Sequence, residues 1–132
     1  MKPSRFKRTG FSRIVAACLY SVEGLGAAFK HEAAFRQEIL ATVILVPVAI
    51  LLPISLLETL LLLLVLIMVL VAELLNSGIE ATVDLVSPDP QPLAKRAKDL
   101  GSAAVFLSLL FAGAVWIVVL AVNYAAITAI FR

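Results

Sequence analysis

The stretch that decides the fold runs from Thr59 to Glu80 and reads TLLLLLVLIMVLVAELLNSGIE. Up to Ala72 it carries no charge, which is typical of a helix inside a lipid bilayer. It then places Glu73, Asn76 and Glu80 on one face of that helix, because positions i, i+3 and i+7 lie on the same side. Carboxylates within a bilayer are energetically unfavourable and usually mark a functional site. We therefore expect a membrane helix with a functional polar stripe.

The composition fixes the class of protein. Of the 132 residues, 62% are hydrophobic and only 15% are charged, whereas a soluble domain has about a quarter charged residues. We predict an all-α integral membrane protein with one membrane-embedded domain over residues 1–132. The single cysteine, Cys18, excludes an internal disulfide and a cysteine metal cluster.

Three uncharged stretches account for the membrane spans. They are residues 39–57, 59–72 and 100–131. Since a span needs about 20 residues, we predict three transmembrane helices, at about residues 33–52, 55–86 and 93–124. A capping box from Ser55 to Glu58 opens the second helix, and the prolines that follow Ser87 end it. Pro92 opens the third.

The segment at about residues 9–29 differs from the spans. Its apolar residues recur near helical spacing and include Phe11, Ile14, Val15, Cys18, Val22 and Phe29. This pattern predicts an amphipathic helix that lies on the membrane surface. Two roles remain open for this surface helix: a simple anchor, or a lid over the polar stripe.

Lysine and arginine set the orientation. Ten of the eleven basic residues precede the first uncharged stretch or lie between the second and third, and the loop between Pro53 and Glu58 has none. Because basic loops stay on the cytoplasmic side, we expect the N-terminus and the loop at residues 87–93 to be cytoplasmic. This basic face would attract anionic headgroups or nucleotide phosphates.

Depth gives the polar stripe a chemical meaning. At 1.5 Å per residue, Glu73 lies roughly 21 Å below the outer end of its helix, within the inner half of a core about 30 Å thick. Glu80 lies roughly 10 Å further inward, level with Glu32 and Lys98. This arrangement suits transfer of phosphate from a soluble donor to a lipid hydroxyl. Glu73 would be the base, Glu80 with Glu32 would hold magnesium, and Lys98 would contact phosphate.

Other interpretations of the acidic residues remain open at this level. Acid pairs in membranes also form proton relays and cation paths, and polar side chains hydrogen-bond between helices. Glu38 pairs with Arg36 in one interpretation and belongs to the polar site in the other. Asp84 is interpreted as a solvated helix end near Lys95. A kinase, an ion-handling oligomer and a structural protein are all compatible with these patterns.

Three segments resemble a known family. They are EAAFRQE at residues 32–38, ELLNSGIE at 73–80 and RAKDLGSAAV at 96–105. In this order and spacing, over roughly residues 9–116, the chain is similar to the prokaryotic diacylglycerol kinase family. The resemblance implies a homotrimer in the bacterial inner membrane, with three spans and a surface helix per chain. It also implies magnesium-ATP as the phosphate donor, a lipid hydroxyl as the acceptor, and active sites shared between subunits.

The same resemblance implies roles for individual residues. Glu73 matches the catalytic base, Asn76 matches a polar residue beside it, and Glu32 and Glu80 match the metal ligands. The positions that match nucleotide contacts are Arg13, Tyr20, Glu32, Glu80, Lys98 and Asp99. Those that match lipid contacts are Arg13, Glu73 and Ser102.

The chain departs from the family pattern at two places. Gly78 stands where alanine is commoner, and the loop from Pro88 to Pro92 lacks the tyrosine and histidine of some relatives. The lipid is expected to be diacylglycerol, because residues 98–104 and 32–35 favour that branch; a related branch of undecaprenol kinases is the alternative. The expected partners are this lipid, ATP, the membrane and further copies of the chain, but no nucleic acid.

Overall fold

The structure, a computed structural model, describes residues 10–129 as a series of helices. The helices are α1 (Phe11–His31), α2 (Ala33–Leu51), α3 (Leu56–Val86), α4 (Pro92–Val122) and α5 (Tyr124–Ala129). No strand occurs within this range, so the prediction of an all-α protein is confirmed. The assignment of residues 1–132 to a single domain stays a prediction.

Three of these helices are long and apolar enough to cross a membrane, namely α2, α3 and α4. This confirms the predicted number of spans and makes the chain a multi-pass membrane protein. With 31 residues each, α3 and α4 are about 46 Å long. They exceed the hydrocarbon core of about 30 Å, so each helix extends into the polar interface.

The surface helix α1 has its large apolar side chains on the outside. Only Ala16 and Ala28 are buried, while the exposed apolar side chains are Phe11, Ile14, Val15, Leu19, Val22, Leu25 and Phe29. Small residues let α1 approach the rest of the chain, and the larger ones remain available to lipid. This distribution agrees with an amphipathic helix on a membrane surface.

A single extended residue joins α1 to α2. Glu32, with φ −100° and ψ 114°, ends the first helix and begins the second. The guanidinium of Arg36 then reaches back, donating hydrogen bonds of 3.2 Å to the carbonyl oxygens of Phe29 and Lys30. Since the last carbonyls of a helix lack partners within it, Arg36 completes the end of α1 and fixes the angle at Glu32.

The predicted helix starts are confirmed. Ser55 and Glu58 form the reciprocal capping box at the start of α3, with the Ser55 N–H donating to Glu58 Oε2 at 2.8 Å. Pro92 occupies the first turn of α4, where its missing N–H leaves no hydrogen bond unmade.

Asn123 ends α4 and connects it to the opposite helix. Its Nδ2 donates to the Val119 carbonyl oxygen at 2.9 Å and to Glu58 Oε1 at 2.8 Å. α4 ends at Val122, two residues before the predicted end of the third span, and a short helix that the sequence did not predict, α5, begins at Tyr124.

The apolar core lies between α3 and α4, with α2 against α3. Leu62, Val65 and Val69 of α3 are buried against Ala112 and Val119 of α4. Small residues on α4 allow the two helices to approach closely, as is common in membrane helix packing. The core thereby fixes which face of α3 points inward, and the polar stripe lies on the same face.

Candidate active site

The polar stripe of α3 continues the buried apolar face toward the C-terminal end of the helix. Val65, Val69, Glu73 and Asn76 follow one another at spacings of three or four residues, so they share one side of the helix. Glu73 is 5% exposed and Asn76 is 8% exposed, and they are the buried polar residues of the described chain. The predicted placement of both side chains on one face is thus confirmed, and the structure shows that this face points inward.

Asn76 links the stripe to its inner end. Its Nδ2 donates to Glu80 Oε1 at 3.0 Å, across one helical turn. Glu80 is half-buried, and this bond fixes one of its carboxylate oxygens. Asn76 Oδ1, in contrast, is buried with no hydrogen-bond partner in the described chain.

Glu32 brings a third carboxylate to the same place from the junction of α1 and α2. The carboxylates of Glu32 and Glu80 both lie close enough to Glu73 to interact with it electrostatically. A groove of about 700 Å³ runs along this region between α1 and α3, and Glu32, Ser77 and Gly78 line it. Glu32 therefore connects the groove, which it lines, to the acidic stripe of α3.

Glu38 is a fourth acidic residue near the stripe. It interacts electrostatically with Glu73, and its Oε2 is buried without a hydrogen-bond partner in the part of the chain described. The interpretation that pairs Glu38 with Arg36 is wrong, because the Arg36 guanidinium bonds to main-chain carbonyls of α1. Glu38 also lines an apolar groove of about 310 Å³ together with Trp116. In the sequence, the signal for Glu38 was a single carboxylate directly before the uncharged stretch at residues 39–57.

Lys98 approaches the acidic group from α4. Its Nζ bonds to Asp84 Oδ1 at 2.7 Å, and the Glu80 carboxylate also lies within electrostatic range. Asp84 lies near Lys95 as expected, since both line the same groove, but its ion pair is with Lys98, while Lys95 pairs with Asp99 one turn along α4. Both ion pairs border a groove of about 670 Å³ between the end of α3, the proline-rich loop and the start of α4.

The remaining predicted residues lie further out. Arg13 and Tyr20 are exposed on α1, and Ser102 is exposed on α4. None of these three lines the groove beside Glu32 or the groove beside Lys98. Within one described chain, the structure therefore brings together the acidic residues and Lys98, but leaves these three on outward faces.

Gly101 is a site neighbour whose contact the sequence did not identify. It is buried on α4, and a Cβ atom built on it would overlap Asn76 Oδ1. Its specific neighbour depends on how α3 and α4 are rotated against each other.

The carboxylates suit magnesium better than a metal held by protein ligands alone. The described residues contain no group of three or more histidine, cysteine or acidic side chains able to hold a metal. Magnesium usually takes one or two carboxylates plus substrate phosphates and water. Glu32, which lines the groove between α1 and α3, and Glu80 of the stripe could supply two such carboxylates.

Comparison with known proteins places the chain in a family. The family model described as prokaryotic diacylglycerol kinase matches residues 19–120. A diacylglycerol kinase of Pseudomonas aeruginosa is 51% identical over 91% of this chain and 98% of its own length. The diacylglycerol kinase of Escherichia coli K12 is 43% identical over 85% of this chain and 92% of its own. That of Haemophilus influenzae is 40% identical over 84% and 94%.

The matched range contains all four converging carboxylates and Lys98. The similarity extends over most of both chains in each comparison. The chain belongs to the prokaryotic diacylglycerol kinase family.

Proposed function

We propose that this protein is an ATP-dependent kinase that converts diacylglycerol to phosphatidic acid. The observation that carries the proposal is the buried carboxylate of Glu73, which lies in a membrane helix beside the carboxylates of Glu32 and Glu80. A lipid hydroxyl can reach this depth from the bilayer. Nucleotide phosphates can reach the inner end of the stripe from the cytoplasm.

Glu73 is proposed as the general base. The free hydroxyl oxygen of the lipid attacks the γ-phosphorus of ATP, and the bond from that phosphorus to the bridging oxygen breaks to release ADP. The hydroxyl proton passes to the Glu73 carboxylate. Because water is largely excluded around Glu73, a positioned carboxylate is needed to accept this proton. Asn76, beside it on the same face, keeps the stripe hydrogen-bonded through Glu80.

Glu32 and Glu80 are proposed to hold a magnesium ion that arrives with the nucleotide. When bound, this ion would neutralise charge on the transferring phosphate. The two residues come from different segments, so binding would also fasten the α1–α2 junction to α3. Asn76 keeps one Glu80 oxygen oriented before the metal arrives.

The nucleotide contacts are proposed at the cytoplasmic ends of the helices. Lys98 offers an ammonium group next to the groove between α3 and α4, where it would act as a point charge toward phosphate. Asp99, Arg13 and Tyr20 are proposed as further nucleotide contacts, and Arg13 and Ser102 as lipid contacts. These assignments follow from the positions that match the family's motifs.

A homotrimer with shared sites is proposed because one chain leaves site residues apart. Arg13, Tyr20 and Ser102 face outward, away from the grooves that hold Glu32 and Lys98. A neighbouring copy can bring such residues to the carboxylates of another chain. Exposed apolar side chains on α3, such as Leu64, Ile67 and Met68, would then face lipid or the neighbouring copy.

We further propose the bacterial inner membrane as the location, with the N-terminus and the loop at residues 87–93 in the cytoplasm. Ten of the eleven basic residues support this orientation, because positively charged loops are retained on the cytoplasmic side. The orientation also places Glu80 and Lys98 on the side where ATP is available.

The test is phosphate transfer from labelled ATP in mixed detergent–lipid micelles. Diacylglycerol and undecaprenol are compared as acceptors, each with and without magnesium. Magnesium-dependent labelling of diacylglycerol is the expected result. Preferential labelling of undecaprenol would keep the mechanism and change the substrate. An intact oligomer that labels neither lipid would overturn the proposed activity and favour ion handling by the acidic stripe.

A further inference from the structure

Gly101 of α4 lies directly against the side chain of Asn76 of α3. A methyl group at position 101 would overlap Asn76 Oδ1 and would lie only 3.3 Å from Asn76 Cγ, but it would lie at an ordinary 3.6 Å from the Asn76 Cα. The backbones of the two helices thus leave room for a methyl group. The side-chain amide of Asn76 occupies that room in its present orientation.

The orientation of that amide matters because both of its ends are constrained. Nδ2 donates to Glu80 Oε1 at 3.0 Å, while Oδ1 is buried without a partner and points to the space at Gly101. Reversing the amide would place its oxygen against the Glu80 carboxylate, and two acceptors at hydrogen-bond distance repel each other. Swinging it away from α4 would break the bond to Glu80.

We propose that Gly101 is a positioning residue of the site, acting on Glu80 through Asn76. The empty space at position 101 allows the amide to keep Nδ2 on the carboxylate, and the carboxylate is thereby held in the orientation that binds the metal–nucleotide complex. The inference rests on the proposed function, in which Glu80 is a metal ligand. Residues that orient a metal ligand typically change metal affinity about 10- to 100-fold when they are replaced.

Substituting Gly101→Ala fills this space with the smallest side chain available. We expect the affinity of the full-length oligomer for Mn²⁺ to fall by about tenfold or more. Affinity is measured in the presence of a non-hydrolysable ATP analogue, by electron paramagnetic resonance of free Mn²⁺, so the readout does not depend on turnover. Gly113→Ala is the matched control, because a Cβ there meets nothing within 4 Å and lies on the same helix.

A double-mutant cycle separates this role from simple helix packing. Asn76→Ala removes the amide, so it should weaken Mn²⁺ binding as Gly101→Ala does. The double variant should then bind no more weakly than Asn76→Ala alone. A further loss of about tenfold in the double variant would show that Gly101 acts by another route and would overturn the inference. If Gly101→Ala alone does not assemble, comparing the double variant with Asn76→Ala still tests the inference. A double variant that also fails to assemble overturns the inference.

Glu80→Gln distinguishes failure of the inference from failure of the proposed function. If Glu80→Gln weakens Mn²⁺ binding but Gly101→Ala does not, the positioning role is wrong and the metal role of Glu80 stands. If Glu80→Gln binds Mn²⁺ like the unaltered protein, the proposed metal role is wrong, and the inference falls with it.

Discussion

Lys98 and Asp84 form an ion pair that joins α4 to the end of α3, with 2.7 Å between Nζ and Oδ1. The pair borders the groove between the two helices, where the proposed nucleotide phosphates would lie. The Lys98 ammonium group is therefore already paired with a carboxylate. Asp84 competes with phosphate for the same ammonium group.

Asp84→Asn is accordingly expected to lower the KM for magnesium-ATP by a few-fold. The substitution removes the competing charge and reduces repulsion of the phosphates, while exposed ion pairs of this kind contribute little to stability. Steady-state kinetics in mixed micelles measures the effect. Lys98→Met is the reference variant and should raise KM strongly. A higher KM in Asp84→Asn would instead show that the pair holds Lys98 in place.

Glu73→Gln is expected to reduce turnover by about 10²- to 10⁴-fold, the usual contribution of a general base. Glutamine has nearly the same shape but accepts no proton from the lipid hydroxyl, so the oligomer should remain intact by size-exclusion chromatography. Glu23→Gln is the matched control, because it removes a carboxylate at an exposed position of α1 and should leave turnover unchanged. Near-normal turnover in Glu73→Gln would refute its role as the base.

Asn123→Leu should lower the midpoint of thermal unfolding, because it removes the hydrogen bond to Glu58 and the bond that ends α4. These bonds lie at the opposite end of α3 from Glu80. We therefore expect the KM for magnesium-ATP to stay unchanged in the folded variant. Circular dichroism and steady-state kinetics check the two parts. An altered KM with unchanged stability would contradict the purely structural assignment.

Gly78→Ala is expected to stabilise the protein by about 0.5–1 kcal/mol, because glycine inside a helix is unfavourable relative to alanine. A Cβ at this position meets nothing within 4 Å, so no contact opposes the gain. Unfolding in detergent by denaturant measures the change, with Gly113→Ala as the comparison inside α4. A destabilised Gly78→Ala variant would show that a neighbouring copy packs closely against this face.

Local patterns in the sequence determined the helices of this protein and the part of its candidate site that lies on α3. Hydrophobic length predicted three spans, and the helical period placed Glu73 and Asn76 together on one face. Ser55 and Glu58 formed their predicted capping box. These features depend on residues within a few turns of one helix, so the sequence is sufficient to specify them.

The tertiary structure decided the partners of the polar groups. Arg36 bonds to the end of α1, not to Glu38, and Lys98, not Lys95, pairs with Asp84. The contact between Gly101 and Asn76 likewise appears only once the helices are packed. The physical reason is that the rotation and register of α3 against α4 are set by the summed packing of many apolar side chains. No short-range periodicity in the sequence encodes that sum.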